Sequence, residues 1–268
     1  MKWLIQEFLN QNENVERMRK ALELQGTDYL LVRLNKDASL TVLDIETRLP
    51  LDDTEDVLWE FLHDGSITGY GSKSFDKALR QLQIEPGSFS NEEFEMEEIQ
   101  KRVGDELLNQ EFIIGELQEL HPTWKHFFIR PTGNTKLFGG MTVTQKEFQE
   151  WKERENHKDS PYIGQTLMIS ETKEISGEYR FFVIGTKVVT GSSYRVDGEL
   201  NTSLFPSNDV WNYAQKMVDR FRIADVFVID VAETNEGLCI VEYNNFNTSG
   251  LYACDENLIV RHLNQMFQ

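Results

Sequence analysis

Apolar residues in the first third of the chain alternate between strand-like and helix-like spacing. KWLIQEF and DYLLVRL are short apolar runs with the length of strands. Between them, NVERMRKALELQG has Val15, Met18, Leu22 and Leu24 near helical spacing and stops at Gly26. SITGYGS followed by FDKALRQLQ repeats the order of strand and helix. This β-α-β order predicts parallel strands connected by crossover helices.

From about residue 126 the pattern changes to longer apolar runs that follow one another closely. HFFIRP, YIGQTLMIS, GEYRFFVIG and TKVVTGSSYR have the composition of strands, and two helices are predicted over DVWNYAQKMVDRF and ENLIVRHLNQMF. Thr144 and Glu147 have the spacing of a capping box, so a further helix begins there. Taken together, the pattern predicts an α/β region over residues 1–125 and an α+β region with mostly antiparallel strands over residues 126–268.

Two of the most apolar runs near the C-terminal end are interrupted by polar side chains. Asp230 ends the run VFVID, and Glu242 and Asn244 lie within LCIVEYN. Burying a carboxylate is costly unless a cation compensates it. Oxygen ligands of this kind suit magnesium, which keeps water molecules and shares its shell with phosphates. The pattern therefore predicts a magnesium site for a nucleotide, and the alternative is that polar residues merely cap turns at strand ends.

A glycine-rich segment, FFIRPTGNTKLFGG, follows one of the predicted strands. Arg130 lies on the strand. In the loop that follows, Lys136 is flanked in the sequence by Gly133, Gly139 and Gly140. Glycines allow backbone amides to approach phosphate oxygens, and a lysine on a loop can close over them. The loop lacks the ending of a Walker A motif. A hairpin turn with an exposed lysine explains the same pattern.

Basic residues also lie on the two strands of GEYRFFVIGTKVVTGSSYR. Glu178 and Arg180 share one face, because strand side chains alternate with a period of two, and Arg195 lies on the next strand. Arginine on a sheet face suits planar recognition of phosphate or carboxylate groups. The alternative is the solvent-facing polar side of an antiparallel sheet.

Composition limits the classes of partner. The 268 residues carry a net charge of −18, which argues against a general nucleic-acid surface or an anionic-membrane surface. The chain contains two cysteines, Cys239 and Cys254, which do not form a disulfide framework in a chain of this size. The N-terminal apolar run is too short for a signal peptide, and no run is long enough to span a membrane. We therefore expect a cytoplasmic protein.

The order of these segments resembles the ATP-grasp superfamily of ATP-dependent ligases, and within it the clade defined by two arginines and one lysine. The matching segments are IRPTGNTKLFGG, then EYRFFVIGTKVV, then VID with VEYNNFN. The resemblance implies an ATP-grasp fold over residues 126–268. It implies a Rossmann-like pre-ATP-grasp domain over residues 1–125, and ATP and magnesium as cofactors.

The resemblance implies phosphate-binding and catalytic roles for four residues. Arg130 would hold phosphates, and Lys136 would reach the β- or γ-phosphate from the loop. Arg180 would contact the γ-phosphate or an acyl-phosphate, and Arg195 would face the reacting carboxylate. Most relatives have a lysine before the proline where this chain has Arg130, a departure that fits the two-arginine clade.

It also implies the remaining nucleotide and metal contacts. The backbone around Met168 and Ile169 would read the adenine, and Glu171 would bind the ribose. Many relatives end the last motif with a small residue and a proline, whereas this chain continues with NTSG at residues 247–250. The magnesium ligands would be Asp230, Glu242 and Asn244.

The function implied is an ADP-forming ligase. It would activate a carboxylate as an acyl-phosphate and join it to the amine of an amino acid or a peptide-like substrate. Two alternatives stay open: a non-catalytic nucleotide-binding interaction protein, and a kinase-type phosphotransferase on the same fold. The sequence leaves the substrate and the oligomeric state undetermined.

Overall fold

A computed structural model describes residues 1–8, 12–89, 96–132, 137–203 and 205–267. Within these ranges the strands form three sheets. The first sheet is parallel except for one edge strand, as the β-α-β pattern predicts. Its strands are β1 (Lys2–Gln6), β2 (Tyr29–Leu34), β3 (Leu40–Leu43), β4 (Ile67–Tyr70) and β5 (Pro86–Gly87), in the order β3-β2-β1-β4-β5. The accompanying helices are α1 (Glu13–Leu24), α2 (Thr54–Leu62) and α3 (Lys73–Gln81).

Helix α1 connects β1 and β2 and packs one face against the first sheet. Its first turn is capped by Asn12, whose side chain accepts hydrogen bonds from backbone N–H groups of that turn. Val15, Met18 and Leu22 are buried as predicted. Leu24 is 79% exposed, so its assignment to the same face is wrong. Half a helical turn separates it from Leu22, which directs it to the opposite side.

The second sheet is antiparallel and has a small core of its own. The predicted capping box is confirmed: Thr144 Oγ1 accepts from Glu147 N, and the Glu147 carboxylate accepts from Thr144 N. The strands are β6 (Phe112–Glu116), β7 (His126–Pro131), β8 (Met141–Thr144) and β9 (Thr166–Glu171), in the order β6-β9-β7-β8. Helix α5 (Gln145–Arg154) packs into this core, whereas helix α4 (Met96–Val103), which precedes β6, packs into the core of the third sheet described next.

The third sheet is also antiparallel throughout, which confirms the prediction for the C-terminal half. Helix α6 (Asn208–Arg220) packs on this sheet, and helix α7 (Glu256–Met266) packs between it and α1. The strands are β10 (Ile175–Ile184), β11 (Lys187–Val196), β12 (Glu199–Ser203), β13 (Val226–Thr234) and β14 (Gly237–Asn245), in the order β12-β11-β10-β13-β14.

One hydrophobic core joins the first and third sheets. Trp3 of β1 and Met18 of α1 lie in the same buried cluster as Phe182 of β10 and Phe246 after β14. Strand β6, which precedes residue 126, pairs with β9, which follows it. The division of the chain at residue 125 stays a prediction. No helix among the described residues is long and apolar enough to cross a membrane.

Candidate active site

The three polar residues that interrupt the apolar runs lie together on β13 and β14. Asp230 and Glu242 are direct cross-strand partners, and Asn244 follows Glu242 by two residues on the same face. Asn244 Nδ2 donates to Asp230 Oδ2 at 3.1 Å and to Glu242 Oε1 at 3.0 Å. The structure therefore brings the predicted trio into a single cluster.

Asp230 is buried and is paired with an arginine on the neighbouring strand. Arg180 Nε donates to Asp230 Oδ1 at 2.9 Å, and Arg180 Nη2 donates to Oδ2 at 2.7 Å. Burial raises the pKa of Asp230 to about 6, and the Arg180 guanidinium opposes this rise. The two hydrogen bonds from Arg180 favour the ionised form of Asp230. Burial alone would lower the pKa of Arg180, but the Asp230 carboxylate raises it above its usual value.

Arg180 is held from several directions. Its Nη1 donates to the Gly250 carbonyl at 3.2 Å. Its guanidinium lies over the rings of Tyr252, at 4.9 Å, and Tyr194, at 5.8 Å, and these two rings stack with centroids 4.8 Å apart. The guanidinium retains further N–H groups beyond these three bonds, which makes it able to bind a second anion.

Arg130 links the second sheet to the acidic cluster of the third. It lies on β7, and its Nη1 donates to Glu242 Oε2 at 3.2 Å. Both side chains are partly exposed, at 26% and 35%. The two arginines that the sequence singled out on β7 and β10 thus contact the two carboxylates of one cluster.

Arg195 reaches the same network indirectly. Its Nη1 donates to Glu178 Oε1 at 3.1 Å, and Glu178 also accepts a hydrogen bond from the Tyr194 hydroxyl at 2.8 Å. Since Tyr194 contacts Arg180, Glu178 and Arg180 lie on one side of the sheet, as strand alternation predicts. The Arg195 side chain is half exposed. Lys136 lies outside the described residues.

Met168 and Ile169 lie in the middle of β9, between β6 and β7. Both are fully buried, and their backbones pair with both neighbouring strands. Those pairings occupy the N–H and C=O groups that would read a base, so the structure does not support that role for these two residues. The backbone beyond the sheet begins after Glu171, which ends β9.

A cleft of about 170 Å³ opens at that end of β9. Lys173 Nζ lies between two carboxylates there, 3.4 Å from Glu171 Oε2 and 3.6 Å from Glu236 Oε2. Asn109 accepts a hydrogen bond from the Ser170 hydroxyl at 3.0 Å, which fixes one wall against β9. The cleft is lined by Leu108, Asn109, Gln110, Glu111, Glu171 and Lys173.

Tyr194 and Tyr252 are parts of the site that the sequence pattern did not reveal. Tyr194 precedes Arg195 on β11 and looks like an ordinary strand tyrosine. Tyr252 has a backbone φ of 47°, a left-handed conformation that is uncommon outside glycine. No periodicity indicates such a conformation, and the contacts of Tyr252 come from distant elements: Arg17 of α1 donates to its carbonyl, and Arg180 of β10 lies over its ring.

The donor set of this cluster fits magnesium. Two carboxylates lie together here, and the Asn244 amide, whose nitrogen faces them, would turn its oxygen towards a bound ion. This donor set leaves room for the water and phosphate ligands that Mg²⁺ usually retains. The described residues contain no group of three or more His, Cys, Asp and Glu side chains that could hold a metal ion. Asp230, Glu242 and Asn244 would hold the ion, which would neutralise phosphate charge.

Comparison with known families decides the affiliation of the chain. Residues 89–263 match the model of the ATP-grasp domain, R2K clade family 3. The chain belongs to the ATP-grasp family. ATP-grasp domains bind ATP with magnesium, so the family confirms both predicted cofactors, the predicted fold and the predicted clade. No functionally curated protein matches the chain.

Solved structures agree with this ATP-grasp fold. The D-alanine–D-alanine ligase from Coxiella burnetii superposes with a TM-score of 0.59 at 12% identity, covering 99% of this chain and 96% of that one. The RimK domain ATP-grasp protein from Sphaerobacter thermophilus gives 0.59 at 11% identity and 91% coverage of both chains. The D-alanine–D-alanine ligase from Bacillus anthracis complexed with ATP gives 0.57 at 12% identity, covering 91% and 84%. Identities this low establish the fold alone.

Proposed function

We propose that this ATP-grasp protein is an ADP-forming ligase that joins a carboxylate to an amine. One observation carries the proposal: Asp230 and Glu242 face each other across two strands, bridged by Asn244 and each paired with an arginine. Such a cluster suits positioning and charge neutralisation, which are the main tasks in phosphoryl transfer. The solved relatives named as D-alanine–D-alanine ligases support the reaction class.

The proposed reaction has two steps. A carboxylate oxygen of the first substrate attacks the γ-phosphorus of ATP, and the bond between that phosphorus and the β,γ-bridging oxygen breaks to release ADP. The lone pair of an amine then attacks the carbonyl carbon of the acyl-phosphate. Inorganic phosphate leaves, the nitrogen loses a proton, and an amide remains.

The contacts of each residue indicate its proposed role in these two steps. Asp230, Glu242 and Asn244 hold magnesium, and Arg180 uses its remaining N–H groups to contact the transferring phosphate or the acyl-phosphate. Arg130 binds phosphates from the β7 side of the cleft. Two further assignments rest on the family resemblance: Lys136 on the β- or γ-phosphate, and Arg195 towards the reacting carboxylate.

The base and ribose are proposed to lie in the cleft at the end of β9. Glu171 binds the ribose hydroxyls through its carboxylate, whose side chain is 52% exposed. The base is read by backbone groups after Glu171, beside Lys173, in place of those of Met168 and Ile169. In this arrangement the base lies near the start of β14, beside the contact between Lys173 and Glu236, whereas Glu242 and Asn244 lie towards the end of that strand.

The acceptor is proposed to be a small molecule or a peptide-like compound that carries an amine. A cytoplasmic location stays a prediction. The test is an ADP-release assay with Mg·ATP against amino acids, dipeptides and simple carboxylic acids, followed by mass spectrometry. A product lighter by one water than the two substrates together supports the ligase. A stable phosphorylated product supports a kinase instead, and nucleotide binding without ADP release against any panel supports a non-catalytic binding protein.

A further inference from the structure

Asn247 is buried at the junction between the first and third sheets. It lies three residues after Asn244, in the short turn Phe246–Thr248, and its residue surface is 1% exposed. Asn247 Nδ2 donates to the Gly69 carbonyl at 2.7 Å and to Thr68 Oγ1 at 3.2 Å, both on β4. Its Oδ1 accepts from Phe89 N at 2.7 Å. One side chain therefore bonds to β4 and to the segment after β5.

Residues in this turn and directly beside it make further hydrogen bonds to β4, α3 and the segment between them. Gly71 N donates to the Asn247 carbonyl at 2.9 Å. The Tyr70 hydroxyl donates to the Ser249 carbonyl at 2.6 Å. Asn245 Nδ2 donates to Asp76 Oδ2 on α3 at 3.2 Å. The chain that leaves the acidic cluster is thus fastened to the carboxyl ends of the parallel strands.

These hydrogen bonds to the first sheet affect the acidic cluster because β14 is an edge strand. Among the strands that the structure describes, β14 has a neighbour along the sheet, β13, on one side only. Near its start, the open side is held by a backbone bridge from Leu107 to Ile240. Glu242 and Asn244 lie beyond that bridge, towards the end of the strand. Asn247 supplies a fixed point just past them.

We propose that Asn247 is a positioning residue for magnesium at this cluster. It fixes the end of β14 against the first sheet, so that Glu242 and Asn244 stay in ligand geometry opposite Asp230. The inference rests on the proposed function, since it presumes that this trio holds the ion. Groups outside the ligands commonly set ligand orientation, and their loss lowers metal affinity about 10- to 100-fold.

The test compares Asn247→Ala with Asn264→Ala. Asn264 makes a similar long-range bond, donating from Nδ2 to Thr27 Oγ1 at 2.7 Å, but it lies on α7, away from β14. Titration calorimetry measures ADP affinity with excess EDTA and again with saturating Mg²⁺. We expect Asn247→Ala to bind ADP in EDTA with the affinity of the wild type. The magnesium gain, which is the factor by which Mg²⁺ increases the ADP affinity, should be about tenfold smaller in this variant than in the wild type. Asn264→Ala should keep the full gain.

A lower melting temperature of Asn247→Ala with an unchanged magnesium gain would make the residue merely structural and overturn the inference. If Asn247→Ala does not fold, Thr68→Val replaces it. That change removes the bond from Asn247 Nδ2 and also the bond from Thr68 Oγ1 to the Gly87 carbonyl, and it nearly keeps the side-chain volume. A reduced magnesium gain in Thr68→Val supports the inference, and a full gain overturns it. If the wild type itself shows no magnesium gain, the proposed function fails, and the inference fails with it.

Discussion

Arg180 and Asp230 face each other as direct partners on β10 and β13, joined by two hydrogen bonds of 2.9 and 2.7 Å. Their side chains are only 11% and 2% exposed. Removing one partner of a buried pair leaves an uncompensated charge. We expect Arg180→Ala to lower the free energy of unfolding by about 3–5 kcal/mol, measured by urea denaturation in EDTA.

Arg195→Ala is the matched control for that measurement. Arg195 also pairs with a buried carboxylate, Glu178, but its side chain is 52% exposed and Glu178 keeps its bond from Tyr194. The expected loss is about 0–1 kcal/mol. Equal losses in the two variants would show that the Arg180 pair is no more than a surface ion pair.

Glu242→Gln tests the metal site with little change of shape. The variant keeps the side-chain length and removes one negative charge from a position that is 35% exposed. We expect ATP turnover to be abolished and the Mg²⁺-dependent gain in ADP affinity to fall about tenfold or more. The melting temperature should change by less than about 4 °C.

The control is Glu236→Gln, which removes an exposed carboxylate near Lys173 at the other end of β14. It should keep the magnesium gain. Undiminished ATP turnover in Glu242→Gln would refute the assignment of this glutamate as a metal ligand.

Cys239 provides a chemical probe of the cleft region. It lies near Gln110 and Lys173, and burial raises the pKa of its thiol to about 11. At pH 8 the thiolate fraction is on the order of 0.1%, so iodoacetamide labelling should be slow and should rise about tenfold per pH unit up to pH 10. Mass spectrometry after timed labelling measures this dependence, and Cys239→Ser identifies the labelled site.

The proposed base site adds a second expectation for the same probe. Mg·ADP should slow labelling of Cys239, because the nucleotide covers Lys173 and its surroundings. Cys254 is fully buried and should stay unlabelled in the native protein. Rapid labelling of Cys239 at pH 7 would contradict the raised pKa.

Glu147 gives a dependence of stability on acid pH. The Thr144 backbone N–H holds the pKa of Glu147 below its usual value of 4.5. A carboxyl group with a lowered folded-state pKa stabilises the fold above its unfolded-state pKa, and this contribution is lost as pH falls below about 4.5. The melting temperature of Glu147→Gln should therefore lie below that of the wild type at pH 7, and the difference should shrink towards pH 4.

Glu150→Gln on the same helix is the control, since its contact with Lys146 is an exposed pair at 3.8 Å. Its melting temperature should stay close to that of the wild type across the same pH range. A difference for Glu147→Gln that stays constant down to pH 4 would show that the capping carboxylate is not responsible.

Local sequence patterns sufficed for most elements of this fold. The helix at Thr144 follows from its capping box, and β1, α1 and β2 follow from apolar spacing and Gly26, because these signals act within a few residues. The trio on β13 and β14 was predictable for a related reason. A carboxylate within an apolar run is costly to bury, so its presence there indicates a functional role. Such positions can be read from the sequence without knowing how the strands pair.

Features that depend on distant contacts were not predictable in this way. Met168 and Ile169 were expected to expose backbone groups, but β9 is an inner strand, and only the pairing of β6 and β7 on both sides makes it so. Tyr252 makes its contacts with residues far away in the sequence, since its carbonyl accepts a hydrogen bond from Arg17 on α1. The role of Asn247 has no local signal either, because its partners Thr68 and Gly69 lie on β4, far from it in the sequence.

The single core shared by the first and third sheets also affects how variants of this chain could arise. The family match begins at residue 89, yet Trp3, Met18 and Phe246 fill one interior. Exchanging the first 88 residues for those of another ATP-grasp protein would replace about half of that interior at once. Close-packed surfaces rarely match by chance. Chimeric proteins made by such an exchange would therefore need compensating substitutions on β10 and α7 before the two parts could pack together.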